Sequence, residues 1–273
     1  MGLSESIANR KPESFDVDAY LNRIGVERKD PSAKYLKELH YAHLISVPYE
    51  NLDVHYGRKI ELRLEEAFKK VVINQRGGIS YELNLLFYHL LIELGFSGIL
   101  VSARHYKTGS LSPEFDHVVI IIQNVEGKDY LCDVGFGESF HYPKLLETYV
   151  SQLDYTKYYR FEIDIDGLWH LKESNDNSNF TTYFQFELKG NAPIEFIPRC
   201  NWLQENVQSW LHEHKFITQL FREGRITLTD RKLSIQLKGE QKELDIFNED
   251  AFLSQLEQHF GIRSTDLLRQ LID

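Results

Sequence analysis

The chain has 273 residues, with 31 Lys and Arg against 41 Asp and Glu, for a formal net charge of −10. That length supports two or three units with well-buried cores, without help from disulfides or metals. The negative charge, and the lack of a basic stripe interleaved with aromatics, argue against a nucleic-acid partner.

The N-terminal third reads as helices. Tyr35, Leu39 and Ala42 recur at helical spacing in a segment opened by Pro31-Ser32, and Leu64, Phe68 and Val71 do the same further on. From Ser80 the residues Leu83, Leu86, Phe87, Leu90, Leu91 and Leu94 form one buried stripe, closed by Gly95 at a left-handed C-cap position. After Gly95 the period becomes strand-like: Ile99 to Arg104, His117 to Gln123, Lys128 to Val134, Tyr158 to Ile165 and Tyr183 to Leu188. The polar stretch Glu173 to Asn179 reads as a surface loop. Beyond it, Leu203, Val207, Trp210 and Leu211 suggest a helix, and Ile226/Leu228 with Leu233/Ile235/Leu237 a hairpin. Phe252, Leu256 and Phe260 suggest a last helix ending at Gly261. The chain thus divides into helical residues 1–95, β-rich residues 96–193 and mixed residues 194–273.

Cys132 and Cys200 have no paired spacing, so no metal or redox site is expected, and a reducing compartment fits. Cys132 reads as a core residue, and nothing near Cys200 would activate it. The longest purely apolar run, Val118 to Ile122, is far too short for a bilayer, and the N-terminus does not read as a secretory leader. A cytoplasmic protein without a membrane partner is the expectation. Met1-Gly2 with Ser6 fits a myristoylation pattern and Asn179-Phe180-Thr181 a glycosylation pattern, but matches this short recur by chance.

Chemistry is suggested first at Arg76-Gly77-Gly78-Ile79-Ser80, where a double glycine leads into the buried helix and leaves Ser80 at its N-terminus. Free amides and the positive end of the helix dipole stabilise a developing anion there. The same serine would equally serve as an ordinary helix cap. A partner lies in the segment from His117 to Asp133. With a turn centred on Val125, these two residues stand directly opposite, their Cβ atoms about 5 Å apart on one face. A carboxylate bound to one imidazole nitrogen fixes the tautomer and frees the other as a base. Such a pair can also simply stabilise a sheet.

Several motifs, in order and spacing, resemble the arylamine N-acetyltransferase family: Pro48-Tyr49-Glu50-Asn51-Leu52-Asp53, Arg76-Gly77-Gly78-Ile79-Ser80-Tyr81-Glu82-Leu83-Asn84, His117 before an apolar strand, and Asp133-Val-Gly-Phe136-Gly137. Gly224 to Leu233 and Phe260-Gly261-Ile262 extend the likeness over nearly the full chain. The resemblance implies an α+β fold in which an N-terminal helical bundle, a central β-barrel and a C-terminal α/β lid surround a triad like that of papain-type cysteine proteases. It also implies ping-pong acetyl transfer from the co-substrate acetyl-CoA to an arylamine or hydrazine, with no metal. Ser80 then takes the nucleophile position, His117 the base and Asp133 the orienting acid. Phe136 would line the acceptor pocket, and Arg76 with Glu50 would form a supporting buried pair beside Gly77 and Gly78. The family carries cysteine where this chain has Ser80. A hydroxyl cannot be held ionised beside an imidazolium as a thiol can, so slow or absent turnover is expected. The alternatives are a non-catalytic CoA- or ligand-binding homologue and an amide synthase on the same scaffold.

Overall fold

Asp16 and Ser32 each accept the amide three residues on, from Ala19 at 2.9 Å and Tyr35 at 3.2 Å, and so open the helices Val17–Ile24 and Ala33–Ser46. These contacts come from a computed structural model, which describes residues 15–107, 110–138, 140–238 and 240–268. The Met1-Gly2 pattern lies outside the described residues. The Val17–Ile24 helix was not expected from periodicity. Its apolar residues are few and separated by charges, yet Tyr20, Leu21 and Ile24 are buried.

Strand β1 (Tyr49–Glu50) precedes the short helix Leu52–His55, and the helix Leu64–Phe68 runs on into a wider π-helical turn, Lys69–Ile73. The stripe beginning at Ser80 forms the helix Ser80–Glu93, buried at Leu83, Leu86, Phe87, Leu90 and Leu91. Gly95 follows it in the left-handed region, at φ 93°.

The next strands are β2 (Ser97–Lys107), β3 (Ser110–Leu111), β4 (His117–Val125), β5 (Lys128–Cys132), β6 (Lys144–Leu145), β7 (Gln152–Asp154), β8 (Lys157–Ile163), β9 (Trp169–Ser174) and β10 (Thr181–Phe186). Eight of them follow the order β6-β5-β4-β2-β10-β9-β8-β7, and β3 pairs with β2. After β6 the chain returns to β8 through a bridge between Thr148 and Phe161, bending the sheet into a nearly closed barrel. Val101, Val119, Ile121, Leu131, Phe161 and Phe184 fill one side. On the other side Val118, Ile120, Ile122 and Cys132 join the core of the helices. Strand β4 is therefore buried on both faces, which explains its unbroken apolar run. Glu173 and Ser174 belong to β9 rather than to a loop.

A second sheet has the order β1-β11-β12-β13-β14, with β11 Phe216–Phe221, β12 Gly224–Thr229, β13 Lys232–Leu237 and β14 Glu240–Asp245. The helix Glu249–Phe260 covers it through Phe252 and Leu256, which pack with Ile226, Leu228 and Leu233. The helix expected through Val207 instead spans Ile197–Glu205 and stops before Asn206, leaving Val207 78% exposed. The architecture is α+β. Among the described residues no helix is long and apolar enough to cross a membrane.

Candidate active site

The turn into the Ser80–Glu93 helix is fixed by glycine. A Cβ on Gly77 would lie 2.0 Å from the Pro48 carbonyl oxygen, so only glycine lets the two backbones approach this closely. Beside it the Glu50 amide donates to the Gly78 carbonyl at 2.9 Å. Arg76 donates through Nε to Glu50 Oε1 at 2.9 Å and through Nη2 to Asp53 Oδ1 at 2.8 Å, with all three side chains buried.

Ser80 is 4% exposed and is the first residue of the helix, not its cap. The capping position belongs to Ile79, and its amide donates to Glu82 Oε2 at 3.0 Å. Helix capping therefore leaves the Ser80 hydroxyl unused, and the capping alternative fails for that residue. Glu82 in turn accepts from Lys70 Nζ at 3.0 Å on both oxygens. Burial raises the Glu82 carboxyl above its ordinary range despite Lys70. Burial would lower Lys70, but Asp53 and Glu82 outweigh it and hold the ammonium group well up.

His117 and Asp133 are brought together as the sequence suggested, by a different register. Ile120 stands opposite Cys132 and Val125 opposite Lys128, with an irregularity between. The turn is Glu126-Gly127, at φ 55° and 80°, which matches the two left-handed residues of a type I′ hairpin. Strand β5 ends at Cys132, so Asp133 lies diagonal to His117 rather than directly opposite. The expected pairing was two residues out. A slip of two keeps every side chain on its face, whereas a slip of one would not.

His117 donates through Nε2 to Asp133 Oδ2 at 2.8 Å. That contact leaves Nδ1 as the basic nitrogen. The other carboxylate oxygen accepts from Asn84 Nδ2 at 2.9 Å and from the Gly135 amide at 3.0 Å. Burial pushes the Asp133 carboxyl up, but His117 and these donors outweigh it and hold it below its ordinary value. The backbone behind it is fixed too. The Asp133 amide donates to His40 Nε2 at 3.2 Å, and His40 Nδ1 donates to the His141 carbonyl at 2.9 Å. Burial lowers His40 to about 4, so it stays neutral and keeps this tautomer at pH 7.

Gly135 closes the site, since a Cβ there would come within 2.7 Å of Ser80 Cα and 2.8 Å of Asn84 Nδ2. The loop after Asp133 therefore lies directly against the head of the helix that carries Ser80. Among the described residues no hydrogen bond joins Ser80 to His117. Phe136 stands edge-on to His117 at 5.0 Å and contacts Tyr183 at 4.6 Å and His105 at 6.1 Å. Arg225, on β12, donates to the Gly137 carbonyl and links this loop to the second sheet. Cys132 and Cys200 are buried, and burial raises both thiols, Cys200 to about 12.

Asn84, His40, Lys70 and Glu82 were given no role from sequence. The available signal was polarity on a buried stripe: Asn84 lies four residues after Ser80 among leucines, and His40 follows Leu36 and Leu39.

Comparison with known proteins gives the class first: the family model described as N-acetyltransferase matches residues 32–268. Arylamine N-acetyltransferase 2 of Mus musculus is 25% identical over 274 residues, covering 91% of this chain and 94% of the relative. The solved arylamine N-acetyltransferase of Salmonella typhimurium superimposes with a TM-score of 0.84 at 25% identity, over 91% of this chain and 92% of that one. Mycobacterium marinum arylamine N-acetyltransferase, solved in complex with CoA, gives 0.84 at 25% identity over 92% and 94%. The chain belongs to the arylamine N-acetyltransferase family.

Proposed function

We propose that this chain is an acetyl-CoA-dependent acyltransferase for arylamines or hydrazines, working through Ser80, His117 and Asp133 and slowed by its hydroxyl nucleophile. The supporting observation is the buried His117–Asp133 hydrogen bond, with Gly135 lying against Ser80. His117 Nδ1 takes the hydroxyl proton as Ser80 Oγ attacks the acetyl carbonyl carbon. The tetrahedral oxyanion forms near the first-turn amides and the positive end of the helix. It collapses as the C–S bond breaks, and the imidazolium returns the proton to the departing CoA sulfur. The amine then attacks the acetyl-Ser80 ester, His117 accepts its proton, and Ser80 Oγ leaves and regains that proton. Splitting the transfer into two steps replaces one difficult reaction with two easier ones. Asp133 holds the base in its reactive tautomer throughout.

An aromatic acceptor would lie against Phe136, with Tyr183 and His105 extending that surface. The division at residues 95 and 193 corresponds to a helical part carrying Ser80, a barrel carrying His117 and Asp133, and a lid carrying Arg225. A cytoplasmic location suits an enzyme that draws on acetyl-CoA.

Acetyl transfer from acetyl-CoA to an aromatic amine, measured for the Ser80 chain and for Ser80→Cys, tests the reading. The thiol should raise the rate at least ~100-fold, the scale on which a misplaced or poorly activated nucleophile loses rate. An S80C protein no faster than the serine form would sink it. CoA binding without acetylation of either form would favour the non-catalytic homologue.

A further inference from the structure

Lys70, a largely buried cation beside Glu82, has no part in the chemistry proposed above. It lies in the π-helical turn Lys69–Ile73, a wider winding that is rare and concentrated at functional sites. Its side chain is 12% exposed, and its Nζ lies 2.7 Å from Asp53 Oδ2, 3.0 Å from both Glu82 oxygens and 4.0 Å from Glu50 Oε1. Its carbonyl accepts the Arg76 amide at 3.1 Å, tying the π turn to the glycine turn. Glu82 is two residues from Ser80 and holds the Ile79 amide. Its carboxylate therefore locks the turn but sets a negative charge close to the nucleophile, where it opposes the helix's N-terminal potential.

We propose that Lys70 is a positioning residue for the reactive end of the Ser80–Glu93 helix: by neutralising Glu82, it lets that carboxylate hold the Ile79–Ser80 turn without opposing anion formation at position 80. The inference rests on the nucleophile reading of Ser80. Other charged or titratable groups that face the pair are Glu50, Asp53 and Arg76, with Arg58 3.9 Å from Asp53. Tyr49 and Cys200 feel the Glu82 charge but are held neutral, because burial raises both. Asp53 and Glu50 already have Arg76. Among the described residues Glu82 has Lys70 as its only ion-pair partner.

The test uses the full chain carrying Ser80→Cys, alone and combined with Lys70→Met, Glu82→Gln or both. Iodoacetamide labelling at position 80, read by peptide mass spectrometry across pH, reports how readily the thiolate forms without requiring acetyl transfer. Lys70→Met should move the labelling midpoint up by about one pH unit, the effect of an uncompensated like charge nearby. Adding Glu82→Gln should bring it back, because the amide still accepts the Ile79 N–H without a charge. Glu82→Gln alone should move it down. In acetyl transfer, Lys70→Met should lower kcat about tenfold, as one pH unit implies, and leave KM for acetyl-CoA within about twofold. A midpoint unmoved by Lys70→Met, or not restored by the second change, overturns the proposal. Should Lys70→Met not fold, the single Glu82→Gln change decides, and a midpoint that stays or rises overturns it. If S80C labels as expected yet transfers no acetyl group, the proposed function fails while the Lys70 inference stands.

Discussion

Asn84 makes three buried hydrogen bonds, donating to the Val118 carbonyl at 2.7 Å and Asp133 Oδ1 at 2.9 Å and accepting the Val134 amide at 2.8 Å. One amide side chain thus ties the Ser80–Glu93 helix to β4 and to the loop holding Asp133. Asn84→Ala leaves these groups unpaired, and urea unfolding should show a loss of about 3 kcal/mol. His40 makes the site's backbone sensitive to pH. Its native pKa of about 4 lies below the ~6.5 of an unfolded histidine. As pH falls from about 6.5, the unfolded chain binds a proton that native His40 refuses, so stability drops until about pH 4 and is unaffected above 6.5. The full effect is about 3 kcal/mol, and burial lowers His43 as well, which adds to it with the same sign. Denaturation midpoints at pH 7.5 and pH 5 should therefore diverge, and His40→Gln should narrow the gap. Asn84 was visible as a polar residue in a leucine stripe, whereas the bond from Asp133 to His40 spans 93 positions and left no local trace.

At the scale of elements, the Ser80–Glu93 helix and the strands around His117 were legible because burial imposes period. The hairpin register was not, because it depends on which residues accept positive φ, and Asn124, Glu126 and Gly127 all do so here. Same-face placement of His117 and Asp133 survived because the error was an even number of residues. Strand β9, Trp-His-Leu-Lys-Glu-Ser, went unseen because it has no β-branched residue and half its residues are charged or histidine. The loop after Asp133 and the head of the Ser80–Glu93 helix meet at Gly135. Gly135→Ala forces its methyl against Ser80 Cα and should cost about 1–3 kcal/mol in thermal or chemical denaturation. In the S80C background it should lower acetyl transfer ~100-fold by displacing the thiol at position 80. Full activity there would mean the loop and the helix head are not coupled.

Across the whole molecule, the site joins parts distant in sequence. Strand β1 pairs with β11, placing Glu50 beside Ile217, and Arg225 reaches from β12 to Gly137. The motifs announced the chemistry, but neither cross-link could be read from them, since both depend on tertiary pairing between residues more than 80 positions apart. Across these parts, the proposed function requires that acetyl passes through position 80. Intact-protein and peptide mass spectrometry of S80C with acetyl-CoA, before and after adding an aromatic amine, and beside the same chain with His117→Gln, tests it most directly. A single acetyl group at position 80 that the amine removes, and that does not form without His117, is the predicted result. Bound CoA with position 80 unmodified, or an acetyl group there that forms equally well without His117, would contradict it.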